Sequence, residues 1–238
     1  MSLGKGIELT YMGHSTFKIK SVEGKIIIVD PWVYGNPICP EKLKKIDKVD
    51  ILAVTHAHFE HIGDSVKLGH EHKPKVVGIH EICVWLSDKG VENIITLNKG
   101  GTQEIDGIKF TMVHADHSSL IQEENGTITY GGEAVGYVIE FENGFKIYHA
   151  GDTAVFSDMK IISEIYKPEL VMLPIGDLFT MSPSEAAHAC RFLNPKYVIP
   201  MHYGTFPLLA DAPDDIRNLT QDMKETQVIE LKPGDTLR

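Results

Sequence analysis

Along the chain, short blocks of β-branched and aromatic residues alternate with polar positions, and glycine, asparagine and aspartate punctuate them. This two-residue periodicity predicts strands over residues 7–12, 16–20 and 25–30, the last two joined through Glu23-Gly24. Further strands are predicted over 50–55, 75–79, 107–113, 136–141 and 145–149, the last pair turning at Glu142-Asn143-Gly144. Residues 170–173 and 197–200 complete the set, with 227–231 as an edge strand. Between these runs the apolar spacing changes to that of helices over 81–89, 157–166, 182–193 and 213–224. The third helix carries its own start signal. Ser182 stands at the N-cap, Pro183 at the first helical position and Glu185 three residues on, which makes a capping box.

Helices interleaved with strands in a chain of 238 residues predict one layered α/β domain over residues 1–238, since no linker-like or low-complexity stretch divides it. A weak internal echo is also legible. Phe17-Lys18-Ile19-Lys20, a turn and a strand ending at Asp30 resemble Tyr137-Val138-Ile139-Glu140, a turn and a strand leading to Asp152. Two hairpins that each deliver a carboxylate at the far end imply two similar sheets facing each other. Generic amphipathic strands produce the same echo.

Composition narrows the class. Apolar residues make up 42% and charged residues 24%, as in ordinary folded proteins. A net charge of −10 without any Lys/Arg block repels a nucleic-acid backbone, so no nucleic-acid partner is expected. No apolar run approaches a membrane span, and Met1-Ser2-Leu3-Gly4-Lys5-Gly6 lacks an apolar leader, so no membrane partner is expected either. Cys39, Cys83 and Cys190 are far apart and form no CxxC pair. They read as small buried hydrophobes in a reducing, cytoplasmic setting. A homo-oligomer is compatible with the sequence.

The chemistry concentrates after the apolar run Asp50-Ile51-Leu52-Ala53-Val54-Thr55, which ends in His56, His58, Glu60 and His61. Imidazoles two residues apart on extended backbone point the same way and can reach one ion. Glu60 and His61 follow where the chain must turn, and can reach a second. Imidazole and carboxylate donors without thiolate suit Zn²⁺, Mn²⁺ or Fe²⁺ and do not choose among them. His70 and His72 form a comparison pair with the same spacing but no preceding apolar strand, and read as a solvated loop. His80 and His188 carry no motif and read as structural. His114 and His117, three residues apart, are chemically equal candidates.

The segment His56-Ala57-His58-Phe59-Glu60-His61 resembles the HxHxDH motif of the metallo-β-lactamase superfamily, with Glu60 in the aspartate position. Supporting motifs follow in the expected order: Asp30-Pro31-Trp32, Ala115-Asp116-His117-Ser118-Ser119, His149-Ala150-Gly151-Asp152-Thr153 and Pro200-Met201-His202-Tyr203-Gly204-Thr205. With Met12-Gly13-His14-Ser15-Thr16 they most resemble small metal-dependent hydrolases related to L-ascorbate-6-phosphate lactonase. The resemblance implies a four-layer αββα sandwich with the site along one edge. It implies two divalent ions, zinc or manganese first, with iron and nickel also compatible. His56, His58 and His117 would hold one ion, and Glu60, His61 and His202 the other, with Asp152 bridging. Asp30 would orient a ligand imidazole, and His14 would line the substrate side. His149 and Tyr203 would contribute from behind the ligands or contact substrate, although a packed strand histidine is an equal reading of His149.

The implied reaction is hydrolysis of a phosphodiester, lactone or ester in a small-molecule substrate by metal-activated water, with Glu60 and Asp152 as catalytic carboxylates. Glu60 is one methylene longer than the motif's aspartate, which predicts a strained second ion site. Two rivals follow: a metal-binding protein that has lost catalysis through Glu60, and an oxygen- or redox-active di-iron site on the same fold.

Overall fold

The computed structural model describes residues 5–123, 125–210 and 213–238. The first four residues, part of the segment read above as lacking a leader, lie outside it. The chain opens with β1 (Glu8–Gly13), β2 (Thr16–Lys20), β3 (Ile26–Val29), α1 (Glu41–Lys44), β4 (Ile51–Ala53), α2 (Phe59–Ile62) and α3 (Ser65–His72). There follow β5 (Lys75–Ile79), α4 (His80–Asp88), β6 (Ile94–Leu97), β7 (Thr102–Ile105), β8 (Ile108–His114), β9 (Leu120–Gln122) and β10 (Ile128–Tyr130). The last stretch holds β11 (Val135–Glu140), β12 (Lys146–His149), α5 (Met159–Tyr166), β13 (Leu170–Pro174), α6 (Pro183–Leu193), β14 (Tyr197–Met201), α7 (Asp214–Leu219), β15 (Gln227–Val228) and β16 (Thr236–Leu237).

These strands form two seven-stranded sheets, ordered β16-β1-β2-β3-β4-β5-β6 and β15-β14-β13-β12-β11-β8-β7, with β9 and β10 as a separate hairpin. The fold is the expected α/β sandwich, two mixed sheets flanked by helices. Period-two alternation decides which side chains meet between the sheets. Along β13, Leu170 and Met172 join the inter-sheet core, while Val171 and Leu173 join a second core with α5 and α6. Both faces of that strand are covered, so it reads as one continuous apolar run.

The internal echo is real. In each sheet an antiparallel hairpin, β2–β3 or β11–β12, is followed by parallel strands, β4 or β13. Asp30 follows β3 and Asp152 follows soon after β12, at like places in the two sheets. The pairings make β1, β3 and β4 run one way, as β8, β12 and β14 do in the other sheet. The candidate site residues His14, Asp30, His56, His117, Asp152 and His202 all lie just beyond the C-terminal ends of those strands. That is where α/β sheets generally place their ligands.

The capping box is present: Ser182 Oγ accepts from Glu185 N at 3.3 Å, and Glu185 Oε2 accepts from Ser182 N at 2.9 Å. Three expectations change. The helix expected over 213–224 is shorter, α7 alone. The edge strand expected over 227–231 stops at Val228. His70 and His72 lie on α3 rather than in a loop.

Tyr137 ties the sheets together across the core. Its hydroxyl, on β11, donates to Val54 O at 2.9 Å, just beyond β4 of the other sheet. Tyr137→Phe should therefore lower the unfolding free energy by about 1–2 kcal/mol while leaving metal content unchanged. Urea denaturation and elemental analysis check the two halves of that statement.

Candidate metal centre

Asp30 is the residue around which the site is built. It is fully buried and adopts a left-handed φ of 50° immediately after β3, which turns its carboxylate inward. Oδ1 accepts from Thr55 N at 2.7 Å, and Oδ2 accepts from Thr55 Oγ1 at 2.7 Å and from His61 Nδ1 at 2.8 Å. Because the Thr55 hydroxyl proton goes to Asp30, Thr55 Oγ1 can only accept from His56 Nδ1, 3.1 Å away. One carboxylate thereby fixes the tautomers of two imidazoles and leaves both Nε2 lone pairs facing the site.

Those nitrogens meet others there. His56 Nε2 lies 3.0 Å from His58 Nδ1, and the ligating atoms of His56, His58 and His117 lie within 4.8 Å of one another. A second group with the same spacing contains His14, Glu60, His61 and His202. Asp152 Oδ2 stands between the groups: 2.9 Å from His202 Nε2, 3.2 Å from His61 Nε2, 3.8 Å from His56 Nε2 and 3.9 Å from His117 Nε2.

Electrostatics follow from burial and from these neighbours. Burial holds His56, His58 and His117 below the usual imidazole range, which keeps them neutral donors. Burial also opposes charge on His61, but Asp152 and Asp30 outweigh it and raise its pKa well above normal, so an ion binding at Nε2 would displace a proton from it. Burial would raise Asp152; the neighbouring His202 and His61 outweigh it and hold the carboxyl well below the usual range.

The donor set fits a cation. His14 Nε2, Glu60 Oε2, His61 Nε2 and Asp152 Oδ1 are buried without a hydrogen-bond partner in the protein. Buried polar atoms are nearly always paired, so these orphans among the clustered donor residues mark a place for positive charge.

The structure separates the other sequence candidates. His117 joins the cluster, whereas His114 is exposed at the end of β8 with its Nδ1 2.9 Å from Lys99 Nζ. His149 is a packed strand histidine. Its Nε2 donates to Ser15 O at 3.0 Å and its Nδ1 accepts from Gly151 N at 3.1 Å, which braces the loop leading to Asp152. Tyr203 departs from expectation: it packs against the outer core beneath the helices and does not line the cavity. His202 takes a φ of 58° to point inward, so the next residue turns the other way. Glu60 lies in the first turn of α2, and despite its longer arm its carboxylate stays within the second group.

A cavity of about 390 Å³ opens onto the cluster, lined by Phe59, Leu120, Phe179 and Phe206 together with Ser118, Gln122 and ligand residues. Sequence reasoning missed its apolar walls, because single apolar residues at the ends of short elements and in loops carry no periodic signal. A larger cleft of about 680 Å³ lies beyond Phe59 and Gln122, but none of the clustered donors line it. The chemistry places the site in the smaller one.

Comparison with known proteins agrees with this geometry. The model of the β-lactamase superfamily domain matches residues 8–202. A UPF0173 metal-dependent hydrolase of Koribacter versatilis is 50% identical over 232 residues, covering 98% of each chain. One from Rubrobacter xylanophilus is 46% identical over 233 residues, covering 98% of this chain and 96% of its own. Among solved structures, Igni18, a metallo hydrolase from the archaeon Ignicoccus hospitalis, superposes with a TM-score of 0.85 at 35% identity, covering 97% of each chain.

If Asp30 sets the imidazole tautomers, Asp30→Asn should lower metal affinity roughly 10–100-fold while circular dichroism shows a folded protein. Competition against a chromogenic chelator measures it. Unchanged affinity would remove Asp30 from this role.

Proposed function

The chain belongs to the β-lactamase superfamily, among its UPF0173 metal-dependent hydrolases, and on that premise we propose that it cleaves small acyl esters or lactones bearing an uncharged apolar arm. The observation that carries this reading is the cavity wall. Phe59, Leu120, Phe179 and Phe206 face the cluster, and no lysine or arginine lines the cavity among the described residues. A phosphoryl group remote from the reacting centre needs a cationic or multiply donating partner, and apart from the clustered residues the lining offers only the neutral donors Ser118 and Gln122. The lactone of a phosphorylated sugar is thus disfavoured, although the resemblance to the lactonase implies it.

Two divalent ions would be held, one by His56, His58 and His117 and the other by Glu60, His61 and His202, with Asp152 bordering both. When bound, such ions polarise the scissile carbonyl and lower the pKa of water to about 7. The protein does the rest. Asp30 and Thr55 hold the imidazoles in donating form. The partnerless Oε2 of Glu60 is placed to accept the proton that the attacking water releases. Ser118 Oγ, 3.5 Å from His58 Nε2, lies on the cavity wall where it can donate to a substrate oxygen. The apolar walls orient the arm. Zinc and manganese both suit these donors. The reach of Glu60 into its group favours a working hydrolase over a protein disabled by that residue.

A phosphodiester with aromatic arms satisfies the same walls, its charge lying at the loaded cluster, and it is the competing substrate. With Mn²⁺ or Zn²⁺ loaded, a nitrophenyl acyl ester and an aryl lactone should turn over faster than bis(nitrophenyl) phosphate and faster than a phosphorylated sugar lactone. Phe179→Ala should lower kcat/KM for the aromatic ester by about tenfold, equivalent to about 1.4 kcal/mol of lost apolar contact. A preference for the phosphorylated lactone would overturn the assignment.

A further inference from the structure

His14 stands apart from the motif ligands because the sequence places it on the substrate side, yet the structure gives it a ligand's surroundings. It is fully buried, and its Nε2 has no hydrogen-bond partner in the protein. One ring nitrogen of His14 lies within 4.8 Å of a donor atom of each of Glu60, His61 and His202, and Nε2 is the one left without a partner. We propose that His14 is itself a metal ligand, binding through Nε2 the ion held by Glu60, His61 and His202, and that this extra donor selects a five- or six-coordinate ion there.

Three observations support it beyond proximity. First, the ring is set up in the tautomer a ligand needs. Nδ1 lies 3.0 Å from Thr205 Oγ1, and that hydroxyl lies 3.4 Å from Tyr203 O. With the hydroxyl proton directed to the carbonyl, Oγ1 accepts from Nδ1–H and Nε2 keeps its lone pair. Ligating histidines generally spend their second nitrogen on such a partner. Second, the backbone is over-determined. His14 takes a left-handed φ of 59°, uncommon for a residue with a Cβ, and its carbonyl accepts both Tyr11 Oη at 3.0 Å and His202 N at 2.9 Å. The His202 contact couples His14 directly to a neighbouring ligand. Third, packing holds the ring, with its centroid 4.0 Å from His202, 5.4 Å from Trp32 and 5.6 Å from Phe206. A purely packing role would leave His14 Nε2 buried and unsatisfied, whereas the packed His149 has both ring nitrogens bonded.

The consequence concerns metal choice. His14, Glu60, His61 and His202 already supply four donors, and Asp152 borders the same position. Zinc in catalytic sites prefers three protein ligands and an open place, whereas manganese, iron, cobalt and nickel readily take five or six.

The inference rests on the two-ion reading given above, and the experiment separates them. Full-length wild-type protein, His14→Ala, His14→Gln and His58→Ala are stripped of metal, titrated with Co²⁺ and followed by the visible d–d bands and by elemental analysis. Wild type should bind two equivalents. His14→Ala should keep one equivalent and bind the second at least about tenfold more weakly, with more intense bands from a lower coordination number. His14→Gln, which retains a polar side chain and guards against misfolding of the alanine variant, should fall in the same direction. His58→Ala should weaken the other equivalent instead. Two equivalents with unchanged affinity and spectrum in both folded His14 variants would overturn the proposal and return His14 to the substrate side. A wild type that binds no metal would overturn the two-ion reading with it.

Discussion

The site depends on one buried carboxylate and the hydroxyl beside it. Asp30 accepts three hydrogen bonds, from Thr55 N, Thr55 Oγ1 and His61 Nδ1. A lone carboxylate in this interior would be costly, and three donors offset that cost. The same bonds dictate which nitrogen of His61, and through Thr55 which nitrogen of His56, keeps its lone pair. Without Asp30 these two imidazoles would have no defined tautomer; with it, both turn Nε2 toward the cluster. Thr55 has no place in the ligand motif, yet the chain of orientation passes through it.

The two sheets repeat each other, and the repetition explains why carboxylates face the cluster from both sides. Each sheet carries a hairpin followed by parallel strands, and each delivers an aspartate beyond the hairpin's second strand. Asp30 ends up behind the imidazoles, where it orients them. Asp152 ends up between the ligand groups, with Oδ2 near four imidazole nitrogens. The difference arises from the chain between. Asp30 follows β3 at once, whereas Ala150 and Gly151 separate β12 from Asp152. Gly151 adopts φ 64° where a Cβ would meet Val135 O at 2.7 Å, so only glycine lets the loop extend into the space between the sheets.

Much of this was legible in the sequence because strong periodicity and motif order coincide. The inner and parallel strands and the capping box at Ser182 follow from residues that carry their own signal, whereas only the family resemblance distinguishes His117 from the chemically equal His114. Elements defined by their neighbours did not show. Thr102–Ile105 has one buried residue and is a strand because β8 offers an edge to pair with. Ser65–His72 contains Gly69, a poor helix former, where a Cβ would meet Val91 Cγ1 at 2.7 Å; close packing there overrides propensity. On that helix His70 and His72 diverge by about 200°, so their spacing cannot serve one ion. Tyr203 was drawn toward the site by its motif, but the left-handed turn at His202 sends consecutive side chains to opposite sides.

That turn belongs to a wider pattern. His14, Asp30, Gly151 and His202 all take positive φ, at 59°, 50°, 64° and 58°, and all stand at or beside the metal centre. Extended strands alone cannot aim their last side chains into the gap between two sheets. Each strand end must therefore bend through a sparsely populated backbone region, at a cost of about 1–3 kcal/mol for each non-glycine residue. Buried polar atoms without partners add to that cost. The surrounding core can bear it, since the residues of both sheets pack as one continuous apolar cluster. The result is a cluster rigid before any ion arrives, whose unsatisfied donors a divalent cation would relieve together. Folding thus meets the cost of ordering and desolvating the donors before an ion binds, and the apolar mouth beside the cluster can be shaped for substrate independently.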